Sequence, residues 1–157
     1  DKSFATSFHY DAIFGTVINR FITQAVAGEP LTVYGNGGQI RGFLNIRDTL
    51  RCVELACENS AASGEFRVMN QFTEQFSVLD LARRIGDLAG VKYECIPNPS
   101  VEKEEHYYNA KHTALASLGL EPTLLTDQVL IEMLAKVGEH KDKINHEAFA
   151  PTVKWRQ

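Results

Sequence analysis

Apolar positions first fall into a regular rhythm between Ile13 and Ala27. Phe14, Val17, Ile18, Phe21, Ile22 and Ala25 recur three or four apart, which predicts an amphipathic helix over 13–27. "AGEP" stops it, with Gly28 at the C-cap and Pro30 beyond. The period then shortens. Leu31–Tyr34 and Gln39–Ile46 predict two strands, and Asn36-Gly37 between them suits a turn that needs positive φ. The expectation is a β-hairpin with its turn at about Asn36–Gly38. "RDTLRCVELACEN" returns to helical spacing and would turn Leu50, Val53, Ala56 and Cys57 inward. "EFRVMN" alternates Phe66, Val68 and Asn70 against Arg67 and Met69, the pattern of a strand. Ser77 and Asp80 form a capping-box pair ahead of a helix with Val78, Leu81, Ile85 and Leu88 in its buried stripe, closed by Gly90. "VKYECI" predicts another strand, stopped by "PNP". A short helix near "KHTALASLG" precedes a longer one from about Thr126 to His140, with Val129, Leu130, Met133, Leu134 and Val137 facing inward. From about residue 144 the chain is expected as an extended tail. Strands alternating with helices make the class α/β, with an irregular mixed sheet.

Composition narrows the function classes. A chain of 157 residues, 44% hydrophobic, has the size of one domain or of part of a larger protein with a real core. A net charge of -4 gives no general attraction for nucleic acid or an anionic membrane. No apolar run approaches the roughly 18 residues of a membrane-spanning helix, and no signal peptide opens the chain. The first residue is Asp1 and not Met, so the chain is expected to begin mid-protein. Cys52, Cys57 and Cys95 lack CxxC spacing and read as reduced core thiols of a cytoplasmic protein. The five histidines show no HxH or HExxH pattern, so no metal site is expected.

Two short motifs imitate nucleotide chemistry. A dinucleotide loop needs G-x-G-x-x-G between a strand and a helix, with the pyrophosphate at the helix N-terminus. Gly35 and Gly37 fit the first two places, but the third falls on Ile40 and a strand pattern follows. The isolated chain is therefore expected to bind no NAD. Tyr107 and Lys111 spell the Y-x-x-x-K of an acid–base pair. No NAD loop precedes them, so a packed Tyr and a surface Lys are the expectation.

Longer phrases carry a family resemblance. "INRFITQAVAGEPLTVYGNGGQIRGFLNIRDTLRCVELA" resembles the extended short-chain dehydrogenase/reductase family, the NAD-dependent nucleotide-sugar epimerases and dehydratases. Ile13-Phe14-Gly15-Thr16, "EFRVMNQFTEQFSV", "VEKEEHYYNAKHT" and "LGLEP" narrow it to a branch that makes the sulfolipid head-group donor from UDP-glucose with bound NAD. The resemblance implies that residues 1–157 form a single lobe, the C-terminal substrate-binding lobe of such an enzyme. The Rossmann NAD-binding half and the catalytic Tyr and Lys would lie upstream of Asp1. On that reading the chain holds no cofactor and no catalytic residue of its own, and its partners are a weakly bound UDP-sugar and a missing Rossmann half.

The resemblance also assigns roles. Arg41 matches the family's diphosphate arginine; a planar, permanently charged fork suits phosphate oxygens. Val33 and Tyr34 match the strand whose backbone meets the pyrimidine base. Asn70 matches the Asn beside the sugar-phosphate, Thr16 and Val17 the helix start near base or ribose, and Glu102 falls near a ribose-binding acid. Ser100 stands where the family usually has a second diphosphate arginine. Loss of a charge-assisted bond costs about 1.5–3 kcal/mol, so weak binding is expected. Two alternatives stay open. One is a non-catalytic interaction module derived from this fold, and the other is half of a generic nucleotide-sugar epimerase.

Overall fold

The structure, a computed structural model, describes residues 8–98 and 113–150. Chain order is α1 (Val17–Ala27), β1 (Leu31–Tyr34), β2 (Ile40–Phe43), α2 (Ile46–Glu58), β3 (Glu74–Ser77), α3 (Val78–Ala89), β4 (Tyr93–Ile96), α4 (Ala114–Ser117) and α5 (Asp127–Gly138). Single 3-10 turns follow at Lys141–Lys143 and His146–Phe149. The α/β class is as the alternation predicts. The described strands form two two-stranded sheets, β1 with β4 and β2 with β3.

The contacts sort into two compact units. The first comprises described residues 8–39, 77–98 and 127–150. β1 and β4 run parallel, with Leu31 opposite Tyr93 and Tyr34 opposite Ile96. Phe21 and Ile22 of α1, Leu31 and Val33 of β1, Leu81 and Ile85 of α3 and Leu130 of α5 are fully buried. Each such side chain contributes about 1.5–3 kcal/mol by leaving water. Arg84 Nε donates to Asp127 Oδ1 at 2.6 Å and ties α3 to the first residue of α5. The second unit comprises described residues 40–76 and 113–126. Cys52, Leu55, Leu115 and Leu120 form its core, with Leu44 and Met69 packed against them.

Six expectations change. α1 begins at Val17 and not at Ile13, because Asp11 Oδ1 accepts from the Ile13 and Phe14 amides at 2.8 and 2.9 Å. That side-chain turn outcompetes helix. A Cβ on Gly15 would meet the Asp11 carbonyl oxygen at 2.4 Å, so only glycine lets the turn close. Phe14 is left 73% exposed.

The hairpin does not form. β1 gives one edge to β4. On α1, Gln24 Oε1 accepts from the Thr32 amide at 3.1 Å and Arg20 Nη2 donates to the Thr32 carbonyl at 3.0 Å. β2 pairs with β3 instead. The expected second strand, 39–46, shrinks to Ile40–Phe43 because Asn45 caps α2, its Oδ1 accepting from the Arg47 amide at 3.0 Å.

α2 is rotated from its expected face. Asp48, Cys52 and Leu55 are buried, while Leu50, Val53, Ala56 and Cys57 are exposed. The Asp48 carboxylate decides this by accepting from the Thr123 amide at 2.7 Å. "EFRVMN" forms no ladder, and the strand in this region is Glu74–Ser77. Finally, the chain beyond 144 is not wholly extended: it turns at His146–Phe149, with Phe149 buried against Tyr10.

Candidate functional site

The glycine-rich loop between β1 and β2 has a structural task. Gly35 and Gly37 take φ of 65° and 72°, the left-handed region that glycine enters without strain. Asn36 Oδ1 accepts from the Gly38 amide at 2.9 Å, an Asx turn. A Cβ on Gly37 would meet Val33 Cγ1 at 2.7 Å and Leu79 Cβ at 2.9 Å. This tight passage carries two carbonyls to the start of α3. The Leu79 amide donates to the Gly37 carbonyl at 2.9 Å and the Val78 amide to the Gln39 carbonyl at 3.1 Å. Ser77 Oγ accepts from the Asp80 amide at 3.0 Å.

Three of the donors that an α-helix N-terminus leaves open are thus taken by the protein itself. A pyrophosphate needs those amides. The residues present do not fit a dinucleotide here.

At the end of β1, the Tyr34 ring lies under the Arg20 guanidinium, 4.2 Å from carbon to ring centroid. Burial pulls the Arg20 pKa below its ordinary value, and Tyr34 partly offsets this. Arg20 Nε and the Tyr34 hydroxyl are buried without a hydrogen-bond partner among the described residues. One face of the Tyr34 ring is therefore occupied by a cation from α1. Val33 is fully buried, opposite Cys95 of β4. Thr16 is the N-cap of α1, its Oγ1 accepting from the Asn19 amide at 3.2 Å, and half-buried Val17 is the first helical residue.

In the second unit Arg41 lies on β2, half-buried, with Nη1 donating to the Ile40 carbonyl at 3.2 Å. Asn70 is exposed in the segment that leads to buried Phe72. The first unit therefore holds Thr16, Val17, Val33 and Tyr34, and the second holds Arg41 and Asn70. Glu102, Ser100, Tyr107 and Lys111 lie outside the described residues. No group of three or more metal-ligating side chains occurs among the described residues. No described helix is long and apolar enough to cross a membrane.

Comparison with known proteins supplies the lineage. Residues 6–70 match the family described as NAD dependent epimerase/dehydratase. Over 155 residues, 96% of this chain, the sequence is 56% identical to the chloroplastic UDP-sulfoquinovose synthase of Spinacia oleracea. The chain belongs to the NAD-dependent epimerase/dehydratase family.

The UDP-sulfoquinovose synthase of Sulfolobus acidocaldarius is 37% identical over the whole of this chain. The chain spans 32% of the spinach protein's length and 42% of the Sulfolobus protein's. Among solved structures, the UDP-N-acetylglucosamine 4-epimerase of Methanobrevibacter ruminantium M1, in complex with UDP-N-acetylmuramic acid, superimposes with a TM-score of 0.69 at 18% identity. That likeness covers 87% of this chain and 44% of the epimerase, and it shows the epimerase fold.

Arg20 and Asp48 carry weight in these units that their sequence context understates. Arg20 and Gln24 sit four apart in a largely apolar helix and both reach Thr32. Polar residues at helical spacing on an apolar helix were the available signal for that pair.

Proposed function

We propose that this chain is the nucleotide-sugar-binding lobe of a UDP-sulfoquinovose-synthase-like enzyme and binds UDP-glucose weakly. The observation that carries this reading is the 56% identity to the spinach enzyme across 96% of the chain. NAD and the redox chemistry belong, on this reading, to the larger part of the relatives that the chain does not span. The lobe by itself is then non-catalytic. Arg41 would hold the diphosphate, Val33 and Tyr34 the base, Asn70 the sugar-phosphate, and Thr16, Val17 and Glu102 the ribose or base.

Several local features support or restrict these roles. Arg41 sits on a strand, and a short strand limits the positions its guanidinium can sample. Tyr34 offers a base only the ring face that Arg20 leaves open. Thr16 spends an acceptor lone pair on the α1 cap and keeps its O–H to donate. A cytoplasmic location belongs to the same proposal, supported by three unpaired thiols; the spinach relative is a chloroplastic protein.

Calorimetric titration of UDP and UDP-glucose at low salt tests the reading. Dissociation constants nearer millimolar than micromolar are expected, since each 1.4 kcal/mol is tenfold. Arg41→Ala should abolish binding, and Ser100→Arg should tighten it by about ten- to a hundredfold, the affinity equivalent of the roughly 1.5–3 kcal/mol of a charge-assisted bond. No binding by the chain or by Ser100→Arg would overturn the reading. It would favour a non-catalytic interaction module, which the neutral Ser100 in place of an arginine already argues for.

A further inference from the structure

Asn36 is exposed and stands directly before Gly37 and Gly38. Its side chain folds back on the chain, with Oδ1 accepting from the Gly38 amide at 2.9 Å. The ring which that hydrogen bond closes contains both the Asn36 Cγ and the Gly37 nitrogen. An electrophilic carbon and a backbone nucleophile are thus held in one tight turn. The Gly38 N–H also polarises the Cγ carbonyl, and it points at the oxygen on which negative charge would collect if Cγ were attacked. Gly37 brings no Cβ to crowd its own nitrogen. No other asparagine in the sequence precedes a glycine. Asn59, followed by the small Ser60, has its Nδ2 committed to the Leu55 carbonyl at 2.9 Å.

The same turn sits where a change in backbone length would be felt. Gly37 is buried, and a Cβ there would meet Val33 Cγ1 at 2.7 Å and Leu79 Cβ at 2.9 Å, so the backbone has no slack. Its carbonyl accepts from the Leu79 amide, and the Gln39 carbonyl accepts from the Val78 amide, at the start of α3.

We propose that Asn36 is a modification site, independent of any sugar bound elsewhere, at which the chain converts its own asparagine to aspartate and isoaspartate with water as the co-reactant. The Gly37 nitrogen attacks Cγ and forms an N–Cγ bond. The Cγ–Nδ2 bond breaks, and Nδ2 leaves as ammonia with the proton that the Gly37 amide gave up. The product is a cyclic succinimide, which water opens. Addition at Cγ breaks the new N–Cγ bond and leaves aspartate. Addition at the Asn36 backbone carbonyl carbon breaks the original peptide bond and routes the chain through Cβ and Cγ as isoaspartate. One water is consumed and one ammonia released, and nothing is oxidised or reduced.

The two products act differently on the fold. Aspartate leaves the backbone path unchanged and keeps an Oδ1 for the Gly38 amide. Isoaspartate lengthens the path by one methylene just ahead of the wedged Gly37, and the former side-chain carbonyl becomes main chain. The Gly37 and Gln39 carbonyls are then displaced, and α3 loses two partners of its N-terminal amides.

The test incubates the 157-residue chain folded in mildly alkaline buffer and, in parallel, unfolded in guanidinium at the same pH. Peptide mass spectrometry follows each asparagine, and an isoaspartate-specific methyltransferase counts isoaspartate. In the folded chain Asn36 should react before every other asparagine, and at least as fast as in the unfolded chain. Asn36→Gln, which would need a larger ring, should form no isoaspartate at 36. In the isoaspartate fraction, separated by chromatography, the Val78 and Leu79 amides should exchange hydrogen roughly tenfold faster than in fresh protein. Asn36→Asp should leave those two amides as they are.

A slower reaction of Asn36 in the folded chain than in the unfolded one would overturn the proposal, because the turn would then protect the residue. Isoaspartate at 36 with unchanged exchange at Val78 and Leu79 would overturn the link to α3. The same loosening in Asn36→Asp would do so too, since charge and not backbone length would be its cause.

Discussion

The Arg20 guanidinium stacks on the Tyr34 ring at 4.2 Å and so joins the middle of α1 to the end of β1. Its Nη2 also donates to the Thr32 carbonyl, which satisfies that acceptor on the strand edge away from β4. Arg20→Ala removes the stacking and that bond together, and it should cost about 1–3 kcal/mol. Arg20→Lys should recover only part of it, because an ammonium cannot stack as a plane. Tyr34→Phe deletes a hydroxyl that is buried without a partner among the described residues and should be neutral or slightly stabilising. Urea denaturation midpoints at constant m-value check all three.

Gly37→Ala meets both a positive φ and two close side chains, Val33 and Leu79. Strain and overpacking should together cost about 2–4 kcal/mol. Gly64, with φ of 82° and open space around a Cβ, provides the control. Gly64→Ala should cost about 1–2 kcal/mol, the left-handed penalty alone. Equal losses in thermal unfolding would mean that the close approach at Gly37 relaxes.

The Asp11 carboxylate is held below its ordinary pKa chiefly by the Phe14 amide, then by the Ile13 amide, with His9 a lesser cause. A group depressed in the folded state contributes stability above its ordinary range and loses it as pH falls through the lowered value. The 11–14 turn should therefore loosen only in acid, below the ordinary carboxylate range. The Ile13 and Phe14 amide shifts, followed by NMR in an acid titration, should move together at that lower pH. In Asp11→Asn the transition should vanish.

Cys52 is fully buried, and burial, with the nearby Asp48 carboxylate, pushes its thiol pKa up. Cys57 and Cys95, expected in the core with it, are exposed. Iodoacetamide at neutral pH should label Cys57 and Cys95 within minutes and Cys52 only on unfolding, since the thiolate is the nucleophile. Peptide mass spectrometry over time separates the three. Early labelling of Cys52 would show that α2 opens easily.

Local patterns in this chain were readable wherever the deciding interaction was local. The α1 stop at Gly28, the Ser77 cap, the stripe Leu81–Ile85 and the inward face of α5 around Leu130 depend on neighbours within one or two turns. The strands Leu31–Tyr34 and Tyr93–Ile96 were visible too, from their short β-rich runs. The glycine loop could also be told from a dinucleotide loop, because a strand and not a helix follows it.

Partnership was not legible. A strand pattern does not say which edge it will meet, so β1 found β4 about sixty residues on, and the nearby β2 went to β3. The face of α2 was decided by Asp48, whose burial depends on an amide at Thr123 that no local rule connects to it. The same helix is apolar on both sides, so periodicity alone could not choose one. The sequence by itself determined α3 with its Ser77 cap, the stop of α1 at Gly28, the strands β1 and β4 and the body of α5. Tertiary structure decided which strand edges meet and which side of α2 is buried, because those depend on contacts between residues far apart in the chain.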